Sequence, residues 1–275
     1  YLVTPLRLFN RAIEFPILYT SLVEIIAPAA ATPATVGLLL KVARRLKKVP
    51  VKVADRPGFL VNRVLSVYLT EAVRLVEEGF DLAAVDRRIL AFGMPMGPLA
   101  LLDQIGLDVA GHVTGTLQAA FGERVPPSDL VRRLVAAGRT GAKDGLGFYK
   151  HGGDKPIADS AGVHAVMAAP PGDVRDPGED EDRRLLYPMV AEAARCLDEG
   201  VVTRPGEVDL AMVMGIGWPP FTGGLLRWAD STGLTAMVTE LARLAGAHGA
   251  HLASPAALRR RAEDPGFFYP PGRVG

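Results

Sequence analysis

A single cysteine, Cys196, in 275 residues rules out an intrachain disulfide and a cysteine-built zinc cluster, and its place in an apolar helical pattern marks it as a core thiol. No uninterrupted apolar run approaches the roughly 20 residues that a membrane-spanning helix needs. The N-terminus also lacks the basic-then-apolar layout of a signal peptide, so a cytoplasmic protein is expected. Excess charge of either sign is missing too. Thirty-one Lys+Arg against 30 Asp+Glu leave a formal +1 at pH 7, and the charges are interspersed, so nucleic acid is not an expected partner.

Chemistry-bearing patterns are equally scarce. There is no His-Glu-x-x-His, and His112, His151, His164, His248 and His251 have no metal-ligand spacing with other donors. No Gly-x-Ser-x-Gly elbow presents a nucleophile. No Gly-x-Gly-x-x-Gly follows a strand, so the phosphate cradle of a dinucleotide site is absent from the sequence.

What remains is an ordinary globular composition, 49% hydrophobic and 22% charged, with a length suited to two compact units. The apolar run Leu22 to Ile26, broken by Glu24, reads as a strand or strand end. Thr32 as cap, a proline in the first turn, and Val36, Leu39, Leu40, Ala43 and Leu46 set against basic residues predict an amphipathic helix. The alternation of Val49, Val51 and Val53 predicts a second strand. Strand, helix and strand in succession look like one βαβ unit of a parallel sheet whose other strands lie outside this chain. The chain opens on Tyr1 rather than methionine, which also points to a missing upstream part.

Beyond Asp55-Arg56-Pro57-Gly58 the period becomes helical. Val61, Val64, Leu65, Tyr68, Ala72, Leu75 and Val76 share one stripe, with Gly79 as terminator. Further helices are expected from Asp81 to Phe92, over Leu99 to Phe121 and over Leu130 to Ala137. From His151 to about Glu181 Gly, Pro, Asp and Ala dominate without a period, as in a linker or a long surface loop. An internal repeat then emerges. Glu71-Ala72-Val73-Arg74-Leu75-Val76-Glu77-Glu78-Gly79 is echoed by Glu192-Ala193-Ala194-Arg195-Cys196-Leu197-Asp198-Glu199-Gly200. In register after it, Val85-Asp86 returns as Val208-Asp209, Leu102-Asp103 as Ala229-Asp230, and Phe148-Tyr149 as Phe268-Tyr269.

The one stretch that suggests a site is Asp55-Arg56-Pro57-Gly58-Phe59-Leu60-Val61-Asn62-Arg63. Pro-Gly permits a sharp strand-to-helix bend and opens a helix N-terminus with free amides. Asn62 stands one turn in, where its amide either donates to an acyl oxygen or bonds locally.

Taken together, Leu22-Val23-Glu24-Ile25-Ile26, Asp55-x-Pro57-Gly58-Phe59-x-x-Asn62-Arg63, Met94-Pro95-Met96-Gly97-Pro98 with Leu102-Asp103, and Gly145-x-Gly147-Phe148-Tyr149 resemble 3-hydroxyacyl-CoA dehydrogenases. The second helical unit, with Gly217-Trp218-Pro219-Pro220-Phe221-Thr222-Gly223-Gly224, resembles the longer multifunctional members, the α-subunits of the fatty-acid oxidation complex.

The resemblance implies oxidation of (S)-3-hydroxyacyl-CoA by NAD, with a Rossmann-like domain for the cofactor and a histidine as base, oriented by a glutamate. It assigns Glu24 as that orienting carboxylate and Asn62 as the substrate-side asparagine. The histidine has no counterpart: depending on alignment its place falls on Ala12 or Arg7, neither of which can accept a proton near neutral pH. The expectation is a mainly α fold, in which a remnant of the NAD-binding α/β domain (1–56) precedes two helical C-terminal domains (57–150 and 182–275) joined by a linker (151–181). In the parent enzyme the partners would be NAD, an acyl-CoA and a β-oxidation thiolase subunit, with no NAD bound by this chain and no activity from it alone. The alternative is a non-catalytic helical scaffold that pairs β-oxidation subunits. The two repeats are further expected to superpose through an approximate two-fold rotation, their long first helices at the shared contact, because in short family members one helical domain pairs with its own copy.

Overall fold

The computed structural model describes residues 21–126, 128–264 and 266–269; Ala12, Arg7 and the register they were to decide lie outside these. Among the described residues the fold is mainly α. Strand β1 (Leu22–Ala27), helix α1 (Pro33–Arg45) and strand β2 (Val49–Ala54) form the βαβ unit, with β1 and β2 parallel and Glu24 opposite Val51. Thr32 caps α1 by accepting from the Thr35 amide at 3.2 Å, and Pro33 opens it, as the local pattern predicts.

The helices that follow are α2 (Val61–Glu77), α3 (Leu82–Phe92), α4 (Pro98–Ile105), α5 (Leu107–Phe121) and α6 (Asp129–Ala136). The α2 stripe is buried from Val64 to Val76, each large side chain contributing about 1.5–3 kcal/mol by leaving water. Asp81 caps α3 through the Ala84 amide, and Gly93 ends it in the left-handed region. The pattern read as continuous from Leu99 to Phe121 is in fact two helices. Gly106, at φ 93°, turns the chain between α4 and α5 in a conformation that L-residues avoid, which apolar periodicity cannot register.

The stretch from His151 onward contains short regular elements. Strand β3 (Tyr149–Lys150) pairs antiparallel with β4 (Ile157–Ala158), and the short α7 (Ser160–His164) follows, with Val163 fully buried. Elements this short carry too few residues to show a period. Helix α8 (Glu179–Asp198) starts the second repeat, followed by α9 (Pro205–Ile216), α10 (Leu225–Thr232), α11 (Leu234–His248) and α12 (Ala256–Glu263).

The chain divides into two compact units. One runs to Leu65 and resumes at Tyr187; the other runs from Ser66 to Leu186. The first holds the βαβ unit, the opening turn of α2 and most of the second repeat; the second holds the rest of the first repeat. In the first unit α9 packs on β1 and β2, and the Ala54 amide donates to the Val201 carbonyl at 2.8 Å. Trp218, Met212, Val53 and Leu60 are wholly buried there. Tyr68, Leu75, Ile89 and Leu99 fill the core of the second unit. Among the described residues no helix is long and apolar enough to cross a membrane.

Candidate functional site

Glu24 projects from β1, and one carboxylate oxygen, Oε1, accepts from two consecutive amides, Leu60 at 3.0 Å and Val61 at 3.3 Å. These amides open α2, where the first N–H groups have no partner within the helix, so a carboxylate from a neighbouring strand caps it from outside. The turn that aims them is sharp. Gly58 (φ 72°) and Phe59 (φ 49°) are both left-handed, and for phenylalanine that backbone is strained. Burial is the dominant influence on Glu24 and raises its carboxyl from the usual range to about 7, against the lowering effect of the two amides. Among the described residues no charged side chain balances it, so the group sits at the threshold of ionisation near neutral pH.

Asn62 follows Val61 directly, and its side chain makes no hydrogen bond among the described residues. The local bond left open by the sequence is therefore not formed. The two residues assigned by resemblance thus attach to the same turn of α2, both in the first unit. Arg63, next along, is buried at 2% exposure and forks onto α8: Nε donates to Glu192 at 2.7 Å and Nη1 to Glu199 at 2.7 Å.

Sequence reasoning did not single out the buried acid clusters that close each repeat. In the first, Asp86 accepts from the Leu99 and Ala100 amides, both at 2.9 Å, and from the Tyr149 hydroxyl at 2.7 Å. Asp103 accepts from the Phe148 and Tyr149 amides, both at 2.8 Å, and faces His151 Nε2 at 2.8 Å. In the second, Asp209 accepts from the Leu226 and Arg227 amides and from the Tyr269 hydroxyl at 2.6 Å, while Asp230 accepts from the Phe268 and Tyr269 amides. Burial lifts Asp86 to about 6 and raises Asp103, Asp209 and Asp230 in the same direction. Every carboxylate oxygen in them is met by internal donors, so these clusters hold the fold together and offer no reacting group. The repeat itself was the signal that could have found them, since Asp86, Asp103 and Tyr149 are among the positions that recur.

No group of three or more His, Cys, Asp or Glu among the described residues could hold a metal. Nor do those residues fit a dinucleotide. The βα turn after β1 is Pro28-Ala29-Ala30-Ala31-Thr32, which has no glycine; the Thr35 amide is taken by Thr32, and Pro33 has no N–H to give, so the glycine-lined cradle of a pyrophosphate is not formed there.

Comparison with known proteins shows the family and the fold. The family model described as "3-hydroxyacyl-CoA dehydrogenase, C-terminal domain" matches twice, at residues 58–151 and 183–267. The α-subunits of the fatty acid oxidation complex from Shewanella loihica and Shewanella amazonensis are 36% and 35% identical over 92% of the chain. The chain spans only 36% of their length. The crystal structure of 3-hydroxybutyryl-CoA dehydrogenase from Escherichia coli K12 shares the fold, with a TM-score of 0.76 at 24% identity over 88% of this chain and 67% of that one. The dehydrogenase part of multifunctional enzyme 1 from C. elegans aligns with a TM-score of 0.62 at 25% identity, over 87% and 56% of the two chains.

Proposed function

Because the chain belongs to the 3-hydroxyacyl-CoA dehydrogenase C-terminal-domain family, we propose that it is the substrate-binding and domain-pairing region of an NAD-dependent (S)-3-hydroxyacyl-CoA dehydrogenase of fatty-acid β-oxidation. This reading takes 57–150 and 182–275 as the paired helical domains and 1–56 as the tail of the cofactor domain. Its setting is the cytoplasm, with an acyl-CoA as substrate and a thiolase subunit as the wider partner.

The observation that carries the proposal is the capture of Glu24 by the amides that immediately precede Asn62. With Oε1 committed to those amides, the orientation of the carboxyl is set, and Oε2 is left to face an imidazole. A charged imidazolium beside it would favour the carboxylate and draw its pKa down from about 7. Asn62, with no bond of its own among the described residues, is placed to donate its amide to an acyl oxygen. No described residue supplies the base, and no step through NAD follows from residues that do not fit it. On this reading the chain by itself neither binds NAD nor turns over.

Two measurements test this. With 3-hydroxybutyryl-CoA and NAD, absorbance at the NADH band should stay flat, since loss of a general base alone costs about 10²–10⁴ in rate; turnover comparable to an intact dehydrogenase overturns the claim of inactivity. Calorimetric titration with acetoacetyl-CoA should show binding that Asn62→Ala weakens about tenfold, the equivalent of one hydrogen bond. A chain that takes up no acetoacetyl-CoA at all is the outcome expected of a scaffold that only pairs subunits.

A further inference from the structure

The turn that carries Glu24's amides and Asn62 is gripped from both sides by the exit of α8, in the second repeat. Before the turn, the last residue of β2, Ala54, donates its amide to the Val201 carbonyl at 2.8 Å. After it, Arg63 forks onto Glu192 and Glu199. A third contact comes from α9, where a methyl on Gly215 would lie 2.7 Å from the end of the Leu22 side chain and 3.4 Å from that of Val61, so any larger residue there would displace the Leu22 side chain. All of these residues belong to the first compact unit. Among the described residues the second repeat has no counterpart of this site: the position matching Asn62 is Arg183, and no strand delivers a carboxylate to it.

We propose that Glu192 and Glu199 are positioning residues for the site of the first repeat, acting through Arg63 to hold the opening turn of α2 against Glu24 and to fix Asn62 beside it. The second repeat is then a working part of a site that contains none of its own reacting groups. The inference rests on the proposed function in taking Glu24 and Asn62 as the site, but its mechanics are independent of any ligand. A guanidinium fork onto two carboxylates fixes both direction and rotation of the helix turn, which a lone apolar contact does not.

The duplication supplies its own control. In the other unit Arg184 donates to Glu71 at 2.6 Å and to Glu78 at 2.6 Å, and the Arg175 amide, at the position matching Ala54, donates to the Gly79 carbonyl, one residue before the position matching Val201. It is the same ion network with no site attached. The experiment follows the Glu24 side-chain carboxyl by carbon-13 NMR against pH in the full chain. Glu192→Gln with Glu199→Gln should move the Glu24 midpoint upward by about one pH unit or more, as the amides that favour its charged form withdraw. Glu71→Gln with Glu78→Gln should lower the thermal midpoint comparably and leave Glu24 unmoved. If the first pair does not fold, Glu199→Gln alone, at the more exposed carboxylate, should give a smaller upward shift. An unmoved Glu24 midpoint in the Glu192/Glu199 variants, or an equal shift in both pairs, overturns the proposal. The acetoacetyl-CoA titration of Asn62→Ala decides the substrate reading separately: loss of that reading with the Glu24 shift intact leaves the positioning role standing.

Discussion

Tyr149 donates its hydroxyl to Asp86 at 2.7 Å, and the bond recurs in the second repeat as Tyr269 to Asp209 at 2.6 Å. The two differ in their surroundings. Tyr149 is 8% exposed and Asp86 4%, whereas the Arg227 guanidinium lies over the Tyr269 ring, 3.7 Å from its centroid, and adds a positive charge near Asp209. Tyr149→Phe should therefore cost about 1.5–3 kcal/mol, the worth of a hydrogen bond to a charged group. Tyr269→Phe should cost less, and urea unfolding of the two variants compares them.

The same acids predict how stability varies with pH. Asp86 rises from an ordinary 3.8 to about 6 because burial disfavours its charge. A raised acid stabilises the fold fully below its unfolded pKa, and that contribution fades as pH climbs through the folded value. Between about pH 4 and 6 Asp86 should give up about 3 kcal/mol, to order of magnitude, and Asp103, Asp209 and Asp230 act in the same direction. Urea midpoints measured across that window should decline in the parent protein, with a shallower slope in Asp86→Asn; a midpoint that climbs with pH contradicts it.

Space is as tightly allotted as charge. A methyl on Gly97 would overlap the Asp86 carboxyl, and one on Gly147 would overlap that of Asp103. Neither acid can swing away, since each is held by three partners. Gly97→Ala and Gly147→Ala should each cost at least about 1–3 kcal/mol by overpacking. Gly115→Ala, which meets nothing within 4 Å, should be neutral or slightly stabilising through its helical propensity in α5. Thermal melts of the three would separate them.

Much of this fold was written openly in the chain, and the reason differs by element. The βαβ unit and α2 show plainly because a strand half-buried on one face and a helix with one apolar stripe leave periods that a reader can count. Glu24 and Asn62 were reached by motif resemblance, and nothing local announced that a strand carboxylate would cap a helix more than thirty residues later. The buried acids stayed hidden for a related reason: an Asp reads as surface until its partners, here Tyr149 and the amides of α4, are brought to it by the fold. Arg63 and Arg184 are hidden in the same way, since an arginine reads as surface and both are almost wholly buried.

Those two arginines make a sharper prediction. Arg184→Met should cost about 3–5 kcal/mol, because it takes the closer of two arginines from the buried Glu71, whose other ion pair, with Arg74, is 3.3 Å long. Adding Glu71→Leu should restore most of that, since an apolar pair of similar volume removes the stranded charge. A double variant no more stable than the single one would show that the ion pair itself, and not the stranded carboxylate, sets the cost.

Arg63 reaches Glu192 and Glu199, and Arg184 reaches Glu71 and Glu78, with one spacing separating the members of each corresponding pair. Between two separate copies of one repeat such an exchange would follow mass action and dissolve on dilution. Written into one polypeptide it becomes intramolecular, with an effective concentration set by the connecting chain and not by how much protein the cell contains. The grip on the Asn62 turn should then persist at any expression level, and each copy of the repeat is free to change its sequence on the side that the other does not touch.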